Sequence, residues 1–150
     1  MSSVLINEVG PRDGLQNQAV HLSVAQRKQL IDALFSAGLA SIEIGSFVSP
    51  KAVPQMAGTD ELARSLTPTE GAAMTALIPN MKGYERARDA GVKTVAVVVS
   101  ATETMNQKNI RMGVEDVMTV AEDVIAQGRR DDSAGQAYIA VAFECPFEGS

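Results

Sequence analysis

The feature that most limits the fold is an alternation. Short runs of β-branched residues take turns with longer helical stretches, and Gly or Pro stands at the joints. The pattern predicts strands over 4–9, 41–45, 72–78, 94–99 and 137–143, and helices over 23–37, 59–66, 81–90 and 114–127. Ser23 caps the first of these helices, Leu30, Ile31, Leu34 and Phe35 form its apolar stripe, and Gly38 falls just past its end. Thr59 reads as the cap of the second and Gly91 closes the third. Val117, Val120, Ala121 and Val124 stripe the fourth. The run at 94–99 is nearly all Val, which suits a strand covered on both faces. Strands joined by helix-length connections cross over rather than forming hairpins, so the sheet is parallel and its connections are right-handed.

Two parallel architectures compete. A doubly wound dinucleotide-binding sheet would carry Gly-x-Gly-x-x-Gly after the first strand, and none is present. A (β/α)8 barrel needs about 250 residues, so a chain of 150 residues holds about four β-α units and a fifth strand. The expected fold class is α/β with a parallel sheet; as a TIM (β/α)8 barrel it would be partial. On the barrel reading residues 1–150 are expected to be one part of a single barrel domain, with the other half absent. An open half-barrel leaves bare strand edges, which favours pairing with the missing half or a homo-oligomer. The net charge of -5, with no block of Lys or Arg, speaks against a nucleic-acid surface. One cysteine, Cys145, leaves no internal disulfide and suits a reducing setting. Neither a signal-peptide pattern nor an apolar run of about 18 residues is found, and the expectation is a cytoplasmic chain with no membrane contact.

The densest chemistry follows the first strand, in Glu8-Val9-Gly10-Pro11-Arg12-Asp13-Gly14-Leu15-Gln16. A cation, a hard oxygen ligand and a turn-forming Gly there occupy the end of the sheet where α/β proteins keep their sites. Taken alone, an Arg-Asp pair after a strand is more often a loop salt bridge or a helix cap. Glu43 stands between Ile42 and Ile44, so if those two pack against helices its carboxylate points into the barrel. An unpaired charge there is costly, and Glu43 wants Arg12 as its partner. A structural ion pair and a direct substrate contact are equal readings of Glu43.

Together these segments resemble the hydroxymethylglutaryl-CoA lyase family, metal-dependent barrel lyases related to isopropylmalate and homocitrate synthases. The likeness is carried by Glu8 to Gln18, Ile42 to Lys51, Val53-Pro54-Gln55-Met56, Pro79-Asn80-Met81-Lys82-Gly83, Lys108-Asn109-Ile110 and Cys145-Pro146-Phe147-Glu148-Gly149, in that order. It spans essentially the whole chain. Gly10-Pro11 before Arg12-Asp13 is similar to the lyase branch; the synthases usually carry Thr-Leu there.

The resemblance implies cleavage of 3-hydroxy-3-methylglutaryl-CoA to acetoacetate and acetyl-CoA, the leucine-degradation type of reaction, assisted by Mg²⁺ or Mn²⁺. Asp13 would be the metal ligand, because hard cations prefer carboxylate oxygens. Arg12 would be catalytic, facing the enolate oxygen with a planar fork that Lys cannot copy. Gln16, Glu43, Ser46 and Asn109 join Arg12 as expected substrate-binding residues, with capping and turn hydrogen bonds the competing role for Gln16 and Ser46. Asn80 and Lys108 share that rim, either near the acyl-CoA or solvated. Glu8 reads as a buried supporting acid, His21 as solvated and Cys145 as a small buried hydrophobe. The family completes its metal site with a His-x-His pair and an Asn, and carries its catalytic Cys on a later loop. None of these is found here, so no useful turnover is expected of the 150 residues alone. A condensing synthase and a non-catalytic half-barrel that binds a partner chain are the alternatives.

Overall fold

The computed structural model describes residues 4–149. Five parallel strands lie side by side in chain order: β1 (Asn7–Glu8), β2 (Ser41–Ser46), β3 (Ala73–Leu77), β4 (Thr94–Ser100) and β5 (Ala134–Ala140). Helices α1 (Val24–Ser36), α2 (Thr59–Ser65), α3 (Met81–Asp89), α4 (Glu103–Ile110) and α5 (Val114–Arg130) connect them. A strand order that never reverses has no topological switch point, which separates this fold from the doubly wound class. In a flat sheet β2 and β5 would stand about 14 Å apart, three ladder spacings. Tyr138 on β5 nevertheless donates to Glu43 on β2 at 3.3 Å. The sheet is therefore curled, with these side chains on its concave face, and the expected arc of a TIM barrel is what the chain forms.

Local signals explain the elements that matter for the site. Ser23 and Gln26 form a reciprocal capping box at the start of α1, and Gly38 takes φ 90 beyond its end. The convex face of the sheet is dry: Ile31 and Phe35 of α1, Ile42 and Ile44 of β2, Leu62 of α2 and Val95 and Val97 of β4 belong to one buried cluster.

Four expectations need correction. The first strand shrinks from 4–9 to two residues, and Val4, Leu5 and Ile6 are exposed, because β1 pairs on one side only, against Ser41 and Ile42. The last strand begins at Ala134 rather than 137, because Ser133 N–H bonds back to Gly128 at the end of α5 and starts the ladder at once. Thr59 is not a cap; Gly58, at φ 72, holds that position while the Thr59 hydroxyl turns inward to the Met56 carbonyl. Residues 103–110, where no helix is predicted, form α4. Its anchor is tertiary: the buried Asn106 side chain accepts from Ser100 N–H at 2.9 Å and donates to Ser100 O at 2.8 Å.

Candidate active site

The loop after β1 is a single π-helical turn, Gly10–Gly14, in which Pro11 is buried and the Val9 carbonyl accepts from both Arg12 and Asp13 N–H. Glu8 caps it, accepting from Gly10 N–H at 2.6 Å. Glu8 is half-buried, so it is a turn-holding acid rather than a deeply buried one. The turn delivers Arg12 across the mouth of the sheet to β2, where its Nε donates to Glu43 Oε1 at 2.5 Å. Its Nη1 donates to Asp13 Oδ1 at 2.7 Å. A guanidinium has five N–H donors, so Arg12 keeps donors for a further acceptor beyond these two.

Burial grades these three residues. The Glu43 side chain is 0% exposed, that of Arg12 13% and that of Asp13 54%. Charge thus runs from a buried carboxylate, through a guanidinium, to a carboxylate facing outward. The expected convergence of Arg12, Asp13 and Glu43 is present, and Glu43 does point inward with Ile42 and Ile44 packed on the other side.

Glu43 has a second partner that the sequence did not disclose. Tyr138 Oη donates to Glu43 Oε2, and itself accepts from Asn7 Nδ2 at 3.2 Å; Asn7 Oδ1 accepts from Ser41 Oγ at 2.7 Å. Asn7, Ser41, Glu43 and Tyr138 therefore tie β1, β2 and β5 together beneath Arg12. Burial, followed by the charge and hydrogen bond of Glu43, raises the Tyr138 phenol above its ordinary value. The available signal was the alternation of Tyr138 with Ile139 in a strand-like run, which puts the two on opposite faces.

Ser46 reaches the concave face by a detour. In a regular strand, residues three apart face opposite sides, but the β2–β3 ladder slips between Glu43 and Gly45, pairing Glu43 with Thr75 and Gly45 with Ala76. Ser46 pairs with Leu77 and so shares the face of Thr75 and Glu43; its hydroxyl donates to the Leu77 carbonyl at 3.2 Å. Gln16 is half-buried just past the π-helical turn, and Asn109 is exposed on α4. Neither shows a hydrogen bond to the Arg12 group among the described residues. Asn80 is committed to capping α3, accepting from Gly83 N–H at 3.0 Å. Lys108 is exposed, and its ammonium lies over Phe147, 4.5 Å from the ring centre. His21 is exposed and Cys145 buried, as expected. Burial pushes the Cys145 thiol up, but the Thr102 hydroxyl and the Phe147 and Glu148 N–H groups outweigh it and hold the thiol below its ordinary value. Among the described residues no three His, Cys, Asp or Glu side chains converge as a metal cluster. Asp13 is a single exposed carboxylate with one oxygen paired to Arg12, which leaves one hard oxygen ligand at the mouth.

The HMGL-like family model matches residues 3–149. The 3-hydroxy-3-isohexenylglutaryl-CoA/hydroxy-methylglutaryl-CoA lyase of Pseudomonas aeruginosa is 43% identical over 97% of this chain and 49% of its own length. The hydroxymethylglutaryl-CoA lyase of Pseudomonas mevalonii is 42% identical over 100% of this chain and 50% of its own. The crystal structure of hydroxymethylglutaryl-CoA lyase from Pseudomonas aeruginosa superposes with a TM-score of 0.93 at 43% identity, covering 98% of this chain and 49% of that one. The chain spans about half the length of the relatives it matches, and it belongs to the HMGL-like family.

Proposed function

We propose that this chain supplies the first half of a cytoplasmic, divalent-metal-dependent carbon–carbon lyase. Its substrate is 3-hydroxy-3-methylglutaryl-CoA and its products are acetoacetate and acetyl-CoA, the chemistry of leucine degradation. Residues 1–150 are then the N-terminal part of one barrel domain, and β1 and β5 are the edges to which the complementary half pairs. The reading rests on one observation above the others: the Arg12 guanidinium is fixed by the buried Glu43 carboxylate at 2.5 Å while Asp13 stays at the exposed mouth.

In the reaction the tertiary hydroxyl of the substrate loses its proton, the adjacent carbon–carbon bond breaks, and the released electron pair becomes the enolate of the acetyl thioester. A base and the proton that quenches the enolate come from the complementary half. Arg12 directs its free N–H donors at the oxygen where enolate charge gathers, and Glu43 and Tyr138 hold that donor set still, so little reorganisation is needed at the moment of bond cleavage. Asp13 would hold a Mg²⁺ or Mn²⁺ ion, which supplies Lewis-acid polarisation of the substrate oxygens. Ser46, Gln16 and Asn109 are the further side chains assigned to binding the acyl-CoA in this reading.

Co-expression with a complementary C-terminal half from a relative tests this directly. Acetoacetate release should require Mg²⁺ or Mn²⁺, the isolated chain should give none, and Asp13→Ala should abolish turnover. Arg12→Gln in the assembled protein should lower kcat by about 10²–10³, as for loss of an oxyanion donor. An assembled, folded complex without cleavage, or one indifferent to Asp13→Ala, overturns the reading. CoA release with oxo acids in place of acetoacetate formation would identify a synthase instead.

A further inference from the structure

Arg27 is the largest fully buried side chain among the described residues, and no part of the site described above uses it. It lies on α1, one residue past the capping box, and its relative exposure is 0%. A guanidinium with no carboxylate partner among the described residues is expensive to bury, and burial lowers its pKa. Its hydrogen bonds say where that cost is met. Nη1 donates to the Ala57 carbonyl at 3.0 Å, and Nη2 to the Thr59 hydroxyl at 3.1 Å and to the Ile44 carbonyl at 3.3 Å; Nε has no partner.

Ile44 is the residue at which the β2–β3 ladder slips. A bulge leaves one residue outside the ladder, and here that residue's carbonyl is answered by Arg27. The neighbouring glycine is part of the same arrangement. A Cβ on Gly45 would stand 2.6 Å from Arg27 Nη2 and 2.8 Å from Thr59 Oγ1, so only glycine admits the guanidinium to the strand. Those two atoms belong to the helical layer, so Gly45 faces the convex side together with Ile44. Two consecutive residues on one side restore Ser46 to the concave side.

From this geometry we infer that Arg27 is a positioning residue: it clamps the bulge at Ile44 and thereby sets the phase of β2 that puts Ser46 on the same face as Glu43. The consequence for an acyl thioester rests on the lyase reading; the clamp itself does not. Without it, β2 below the bulge keeps its register through β1, at Asn7 with Ser41 and Glu8 with Ile42, while the segment from Gly45 onward loses its phase.

Disulfide trapping in this chain alone separates the two issues. Paired residues of adjacent strands fall within the Cα separation a disulfide accepts. In a Cys145→Ser background, Ser46→Cys with Leu77→Cys reports the phase above the bulge, and Ser41→Cys with Ala73→Cys reports the register below it. Arg27→Met should lower trapping of the upper pair at least fivefold and leave the lower pair unchanged. Gly45→Ala, which displaces the guanidinium from the strand side and alters no charge, should do the same if Arg27→Met does not fold. A folded variant of either kind that traps both pairs as the parent does overturns the inference. So does equal loss at both pairs, because Arg27 would then support the whole layer rather than the bulge. In the assembled enzyme the clamp predicts a rise in KM of about tenfold with a smaller change in kcat. A trapping result that holds while the assembled protein shows no cleavage leaves the clamp standing and removes the lyase reading.

Discussion

β2 and β5 are strands of six and seven residues on the same curled sheet, yet every residue of β2 is buried and none of β5 is. Composition does not account for this, since β2 carries Ser41, Glu43 and Ser46 and β5 carries Ile139. Neighbours do. β2 is bracketed by β1 and β3 and roofed by α1 and α2, whereas β5 has β4 on one side, α5 behind it and an open edge on the other. Burial is thus a property granted by adjoining elements, and a polar residue in the centre of a sheet can be more deeply enclosed than an isoleucine at its margin.

Three perturbations would break or sharpen that contrast. The largest effect belongs to Arg12→Met, which strands the fully buried Glu43 without its cation. Removing one member of a buried pair costs about 3–5 kcal/mol, and a denaturant titration showing less than about 1 kcal/mol would mean that water reaches Glu43 freely. Next come matched truncations on the two strands. Ile44→Ala should cost about 2–5 kcal/mol, as for other buried large-to-small changes. Ile139→Ala, at a side that is 67% exposed, should fall within about 0.5 kcal/mol. Equal losses would show that β5 is covered in solution by a second copy.

The smallest effect is on Tyr138, whose side chain bridges both strands. Tyr138 is favoured as the neutral phenol in the folded state, by burial first and by Glu43 second, so its contribution to stability is fully present below the ordinary phenol value of 10.0 and fades as pH rises through the raised folded value. Glu43→Gln should move the Tyr138 midpoint down toward 10.0. Tyr84, raised by burial and by its bond to Asp131, should not move. The chain has two tyrosines and no tryptophan, so phenolate absorbance reads both transitions. An unshifted Tyr138 midpoint would sever the link between β5 and β2.

The sequence disclosed most where chemistry and periodicity agreed. Glu43 between Ile42 and Ile44 announced both its direction and its need for Arg12, and the hydrogen bond between them is the centre of the site. Ser23 and Gly38 marked α1 because caps are local. The failures have two causes: side-chain and turn bonds across a few residues that no apolar pattern marks, and contacts distant in the chain. α4 has no apolar stripe and is held through Asn106; β5 begins early because of a turn against α5; Tyr138 and Arg27 act through partners 95 and 17 to 32 positions away. Charged residues on an amphipathic helix normally face water, so nothing local singled out Arg27. The two-for-one pairing on β2 was equally hidden, because its cause lies in α1.

The bond from Asn7 to Tyr138 closes a loop of 131 residues, and that from Tyr138 to Glu43 one of 95. Contacts of such long reach are slow to form. During synthesis the Glu43 carboxylate must wait for Tyr138 until 95 further residues have been added, so β5 completes a floor that β1 and β2 begin.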